Sequence, residues 1–359
     1  MMIITTFRYL NRTIFLAITP FIGMLLWMLI ANIRIELSPN SFPQHVTEQA
    51  IPSDSVTRAM VGLEQAQSTA LGTSKSIQKQ ISLYNQTNAD MKKIAAVTAA
   101  QASRPLQIYD RRITSKLGKP AAAIQSEKLQ AQLFYLNTQN FRSYALKIKM
   151  KKSDAIQLVL GQDKLGGAET TLAAVNRYKA SVGVNAGGYA DSRGKRYPLS
   201  TTIVNGRYVD GFHSSYKDLF FVGVNEDNRL VGGKFSSKEQ LDKLGPKFGA
   251  SFVPILMKNG QATVIPEKWK ISPQRAPRTV IASYKDDQLL FLVADGYNEK
   301  GSSGATLAEM QLLLQRYGAL DGYNLDGGGS STLVFNGQVI NRPSDGKLRK
   351  LPTNFLFFK

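Results

Sequence analysis

Apolar positions along the chain fall into three successive patterns. The first is an unbroken block: Thr13–Ile33 runs TIFLAITPFIGMLLWMLIANI, 21 residues without a charge. At about 1.5 Å per residue, a helix of that length spans roughly 30 Å, the hydrocarbon thickness of a bilayer. Arg8 and Arg12 precede it, so the positive-inside rule keeps residues 1–12 cytoplasmic and exports the remainder. A cleaved signal peptide would have a shorter apolar core and a small-residue cleavage site, and none precedes Arg34-Ile35-Glu36. The expectation is a single-pass signal anchor over residues 13–33 of a bacterial cell-membrane protein whose bulk is extracytoplasmic.

The second pattern belongs to a stalk expected over residues 34–140. Pro39, Pro43 and Pro52 mark a linker from Ser38 to Ser53. From there, apolar residues recur at spacings of three and four: Val56, Met60, Leu63, Ala70, Ile77, Ile81, Tyr84, Met91 and Ala95. That spacing predicts a long amphipathic helix. Gln67, Ser74 and Asn88 fall on the same line, which weakens a coiled-coil homodimer relative to a helix folded against another element. Basic residues dominate from Lys92 to Lys152, with Arg111-Arg112 and Lys147, Lys149, Lys151 and Lys152 the densest groups. They read as a solvated connector or as a surface for anionic headgroups or wall polymer.

The third pattern, over residues 141–359, is short apolar runs punctuated by glycine, which predicts a mixed α/β (α+β), sheet-based domain with crossover helices. Strands are expected at Ile156–Leu160, Ser181–Val184, Leu219–Val224, Thr279–Ala282 and Leu289–Val293. Thr306-Leu307-Ala308-Glu309 opens a helix with a capping box, and Gly318 closes it. Leu333-Val334-Phe335, Asn336-Gly337 and Gln338-Val339-Ile340 make a β-hairpin. If the strands on either side of the helix are parallel neighbours, Asp295 and Asp326 leave the same sheet edge, where open α/β sheets bind ligands.

Composition narrows the chemistry. The 359 residues contain no cysteine and two histidines, His45 and His213. This excludes disulfides, thiol nucleophiles, cysteine-based zinc sites and histidine-rich metal centres. No cofactor is required, and a carboxylate-bound calcium or magnesium stays compatible with the sequence. The formal net charge of +19 favours a polyanionic partner, and the exported location makes nucleic acid an unsuitable one. Asp326-Gly327-Gly328-Gly329-Ser330-Ser331 lacks the Gly-Lys-Ser/Thr of a P-loop. Its consecutive glycines let the backbone approach a ligand closely, or make a tight turn into the hairpin.

Asn324-Leu325-Asp326-Gly327-Gly328-Gly329-Ser330-Ser331-Thr332 resembles the hallmark of the phosphodiester glycosidase family. Val184-Asn185-Ala186-Gly187-Gly188-Tyr189, Pro277-Arg278-Thr279, Thr306-Leu307-Ala308-Glu309, Asn341-Arg342-Pro343 and Leu351-Pro352-Thr353-Asn354 are similar to the family's other segments, in its order. Ala186 interrupts the early segment, and Lys350 stands where the family has an arginine before the last. The resemblance covers roughly residues 145–359.

It implies hydrolysis of a sugar-1-phosphodiester, of the N-acetylglucosamine type, at the glycosidic C–O bond. Such a reaction passes through an oxocarbenium-like state that a carboxylate stabilises, while an arginine holds the phosphate. On this resemblance Asp326 is the principal carboxylate, Glu309 and Asp295 are candidates for the second, and Arg278 is the phosphate ligand. Asn185, Gly187, Gly188, Gly327, Gly328, Gly329, Ser330, Ser331 and Arg342 are candidates to shape the sugar and phosphate pocket. Plainer roles are open to them: Glu309 completes the capping box, Asp295 makes a turn and Arg278 pairs with a surface acid, while His213, a candidate proton carrier, reads more plainly as an exposed loop residue. Exopolysaccharide or teichoic-acid-like wall polymer is the expected context. Two other classes fit the same residues, a non-catalytic carbohydrate-binding module and a phosphodiesterase that cuts P–O.

Overall fold

The computed structural model describes residues 53–136, 138–296 and 304–359; the anchor expected at 13–33 and nearly all of the linker lie outside them. Among the described residues no helix is long and apolar enough to cross a membrane. The chain divides into two compact units, residues 1–93 and 94–359. In the first, the described residues form a helix that runs Ser53–Leu117 in all. Val56, Met60, Leu63, Ile77, Ile81, Tyr84 and Met91 on it are exposed. Thr69, Thr73 and Thr87 turn their hydroxyls back onto carbonyls four residues earlier, which satisfies them within the helix.

The second unit contains the helix's last turns and all the sheets. Its largest sheet has eight strands in the order Ala122–Gln125, Leu129–Leu136, Ser143–Met150, Leu289–Ala294, Arg278–Ser283, Asp321–Leu325, Ile255–Lys258 and Gln261–Ala262. Neighbours pair antiparallel throughout. The domain therefore starts earlier than residue 140, because the first two of these strands lie in the region expected to be stalk. A five-stranded sheet holds Leu230–Gly233, Phe220–Asn225, Pro246–Phe252, Ile203–Val204 and Arg207–Tyr208. Another holds Gln338–Val339, Leu333–Phe335, Val182–Asn185, Thr353–Phe357 and Ile156–Leu160.

Strand periodicity explains how these layers meet. Side chains alternate across a strand, and in the wholly buried Leu289–Ala294 both faces are apolar. Leu289, Phe291 and Val293 join Val184, Phe220, Val222, Phe355 and Phe357 from the two smaller sheets in one core. Leu290, Leu292 and Ala294 face the opposite side, against Leu307, Met310 and Leu314 of the Leu307–Tyr317 helix. A continuous apolar run is what a strand buried on both faces requires, at about 1.5–3 kcal/mol of transfer free energy per large side chain.

The same face receives the end of the long helix through Ile113 and Leu117. There Lys147, 2 % exposed, donates to Asp110 at 2.6 Å and to Thr114 at 2.7 Å. Lys147 is thus a buried ion-pair partner and no part of a solvated basic face.

Candidate active site

The glycine-rich turn sits where the large sheet meets the sheet that carries Val182–Asn185. Asp326 follows the strand Asp321–Leu325, and its backbone N–H donates to the Ala186 carbonyl at 3.1 Å. Asp295 follows Leu289–Ala294. Those two strands run parallel but are not neighbours. Arg278–Ser283 lies between them, antiparallel to both, with Arg278 opposite Ala294 and Thr279 opposite Leu325. The same-edge placement of Asp295, Arg278 and Asp326 follows from this register, with roughly 10 Å between the outer two strands. The parallel-neighbour arrangement does not occur, because an antiparallel strand is inserted.

Asn185 fastens the turn. It is fully buried, donates Nδ2–H to the Asp326 carbonyl at 2.6 Å, and accepts at Oδ1 from the Thr279 hydroxyl and the Thr332 amide. All of these bonds are internal, so Asn185 holds the turn in place. Gly187 and Gly188 permit close approach: a Cβ would lie 2.6 Å from Ala250 in the first case and 2.6 Å from the Phe252 ring in the second. Gly328 adopts φ +61°, a left-handed conformation glycine accepts without cost, and its N–H bonds the Pro277 carbonyl at 2.9 Å. A Cβ on Gly327 would stand 2.8 Å from that same carbonyl.

Asp326 is the perturbed group of the site. Burial pushes its carboxyl up to about 6, against the Ser330 hydroxyl, the Arg349 and Arg196 charges and the Gly327 amide, which all pull it down. Its Oδ2 is buried without a hydrogen-bond partner, and so is the Ser331 hydroxyl. Arg349 lies over the turn, donating to the Ser330 hydroxyl at 3.3 Å and the Tyr189 hydroxyl at 3.5 Å, and it is held by Asp345 at 2.6 Å. Tyr189 begins a hairpin, Tyr189–Ser192 with Lys195–Pro198. The Arg196 guanidinium stacks 4.1 Å from the Tyr189 ring centre and forks onto Asp191 at 2.7 and 3.0 Å. Asp326 therefore faces two arginines, each aimed by its own carboxylate.

The other expected residues are engaged elsewhere. Glu309 forms the capping box with Thr306 and an ion pair with Arg275 at 2.9 Å. Burial pulls its pKa upward, but the Thr306 amide, Arg275 and Asn140 hold it below the ordinary carboxylate value. Asp295 accepts from the Tyr144 hydroxyl at 2.9 Å and the Arg342 amide at 2.8 Å, and burial raises its pKa against those two bonds. It anchors the start of the segment that carries Asp345 and Arg349.

Arg278 is 5 % exposed and donates to the carbonyls of Ala305 and Pro273. Desolvation alone lowers it to about 10. His213 is exposed in its loop, with Nε2 at 2.9 Å from the Asp210 carbonyl. Among the described residues no group of three or more His, Asp or Glu side chains could hold a metal ion.

Asp191, Arg196, Asp345 and Arg349 escape the sequence reading, and Tyr189 enters it only as the aromatic residue of the early segment. The Arg193-Gly194 turn, with φ of +50° and +73°, was the available signal for the hairpin that pairs Asp191 with Arg196. Arg349 stands one residue before Lys350.

The phosphodiester glycosidase family model matches residues 178–358, half of the chain and the whole of this site. The chain belongs to that family. The mouse N-acetylglucosamine-1-phosphodiester alpha-N-acetylglucosaminidase is 31 % identical over 161 residues, covering 41 % of this chain and 30 % of the mouse protein. Its human counterpart is 35 % identical over 137 residues, covering 34 % of this chain and 26 % of that protein. This chain thus spans less than a third of either relative's length. The zebrafish catalytic domain of the same name, solved auto-inhibited by its pro-peptide, superposes with a TM-score of 0.54 at 20 % identity, over 67 % of this chain and 87 % of that one. That likeness establishes the fold.

Proposed function

We propose that this chain hydrolyses sugar-1-phosphodiesters at the glycosidic C–O bond, releasing a free sugar and a phosphomonoester. The observation that carries the reading is the Asp326 carboxylate, buried with one oxygen unpartnered and faced by Arg349 and Arg196. Ionised above about pH 6, Asp326 stabilises positive charge at the anomeric carbon as the bond to phosphate breaks. Arg349 and Arg196 hold the phosphate, a good leaving group that needs little protonation. Gly327 to Ser331 supply backbone and hydroxyl contacts, and Asn185, Asp295, Asp345 and Asp191 position the machinery. N-acetylglucosamine is the sugar the mammalian relatives' names point to.

The test is sugar release from UDP-N-acetylglucosamine, followed by chromatography, for wild type, Asp326→Asn and Arg349→Ala. Release abolished in both variants, with folding intact, supports the reading. Sugar binding without any release would favour a carbohydrate-binding module.

The uncharged run Thr13–Ile33 behind Arg8 and Arg12 supports a membrane anchor with this site outside the cytoplasm. The exposed apolar line from Val56 to Met91 supports pairing of that helix with a second copy. An exopolysaccharide or wall-polymer substrate fits the exported location and the charge of +19.

A further inference from the structure

Next to the Asp326 turn lies a groove of about 590 Å³, within the size range of ligand clefts. Its lining includes four basic side chains, Lys164, Lys195, Arg196 and Lys350, and one acidic side chain, Asp191. Asp191 is already neutralised by Arg196. The three lysines make no ion pair with another described residue, whereas Lys128, Lys152, Lys258 and Lys268 each hold a carboxylate. Gly166, Gly167 and Gly194 also line it; Gly166 sits at φ +81°, and its carbonyl accepts from the Arg196 amide at 3.3 Å.

The groove is continuous with the site through two residues. Arg196 forms its wall while stacking on Tyr189 and donating to the Lys350 carbonyl. Lys350 follows Arg349, which lies over the Asp326 turn. A leaving phosphate held between Arg349 and Arg196 would therefore lie beside this uncompensated positive charge. Among the described residues no aromatic side chain lines the groove, so they offer no platform for the apolar face of a neutral sugar ring.

We infer that this groove is the leaving-group subsite, and that it takes aglycones carrying at least one further phosphate beyond the scissile diester. The inference rests on hydrolysis at Asp326. In that reaction water adds its oxygen to the anomeric carbon, the C1–O bond breaks, and the electron pair departs with the phosphate of the polyanionic aglycone. Water's proton leaves to solvent. Unpaired lysines beside a phosphate site favour such extended anions over singly charged ones.

Full-length protein would be assayed on three N-acetylglucosamine 1-phosphodiesters: the methyl diester, UDP-N-acetylglucosamine, and one bearing oligo(glycerol phosphate). Lys164 and Lys195 are both exposed, and the variant is Lys164→Glu with Lys195→Glu. At low salt the double variant raises KM for the second and third substrates about tenfold more than for the methyl diester, and added salt narrows the gap. An effect on both polyanionic substrates assigns the subsite to the second phosphate itself; an effect confined to the oligomer assigns it to a phosphate-linked chain. Equal KM changes for all three substrates, or none, overturn the inference.

Calorimetric binding of oligo(glycerol phosphate) separates this result from the hydrolysis reading. If wild type releases no sugar yet binds the oligomer in a lysine-dependent manner, the hydrolytic reading fails and the groove stands as an anion site. Binding that the double variant retains removes the groove.

Discussion

Replacing Asp326 by asparagine should make the protein inactive and, near neutral pH, more stable. The carboxyl moves from an ordinary 3.8 to about 6, first because of burial, which corresponds to about 3 kcal/mol by which folding disfavours the ionised form. Between pH about 4 and 6 the folded protein keeps a proton on Asp326 that the unfolded chain has released. Stability from this group is therefore present at the acid end and is lost as pH rises through 6. Asparagine has the same shape and keeps an oxygen to accept from Ser330 and the Gly327 amide. Its Nδ2 takes the place of Oδ2, which has no hydrogen-bond partner, at a cost of about 1–2 kcal/mol for an unpaired donor.

The net expectation is a gain of roughly 1–2 kcal/mol at pH 7.5, or about 2–8 °C in Tm for a domain of this size. At pH 4 the gain vanishes, and the variant is level with wild type or slightly weaker. The assay is thermal unfolding of both proteins by near-ultraviolet circular dichroism at the two pH values. A Tm difference that is the same at pH 4 and 7.5 would refute the claim that a buried charge at Asp326 is being relieved.

Three further outcomes follow from the same geometry. Arg349→Ala should lower kcat/KM about 100-fold, the scale of one charge-stabilising donor, whereas Arg278→Met, which removes a desolvated charge bonded to the Ala305 and Pro273 carbonyls, should act mainly on stability; steady-state kinetics and denaturant melts on the two variants decide it. In Gly329→Ala the new methyl would overlap the Asp345 carboxylate and the Arg349 guanidinium, so kcat should fall at least tenfold while Tm drops by only a few degrees. The activity of wild type should rise with pH through about 6 as Asp326 ionises, and a flat profile between pH 5 and 7 would contradict its role.

What the sequence made legible was local. The Leu289–Ala294 strand, the capped helix from Leu307 and the Asn336-Gly337 hairpin are each specified by residues a few positions apart, and all three stand where the pattern puts them. The glycine turn was legible for the same reason. Non-local pairing was not. Nothing near Arg278 announces that its strand inserts between two others, and Lys147 looks like one charge in a basic run until Asp110 arrives from the preceding helix. The alternation Leu129, Ala131, Leu133 was overshadowed by the helix before it, although those side chains are fully buried in the sheet. The Arg196 and Arg349 charges act on Asp326 only because the hairpin and the Asn341–Arg349 segment bring them near it, an arrangement that local spacing does not encode.

The central claim is that Asp326 serves cleavage of a glycosidic bond, and the position of the bond broken tests it most directly. UDP-N-acetylglucosamine turned over in heavy-oxygen water, with the products separated and weighed by mass spectrometry, reports which atom water attacks. The account predicts label in the free sugar, none in the phosphate, and no product at all from Asp326→Asn. Label in the phosphate would make the enzyme a phosphodiesterase and contradict the role of Asp326 as the carboxylate that stabilises charge at the anomeric carbon.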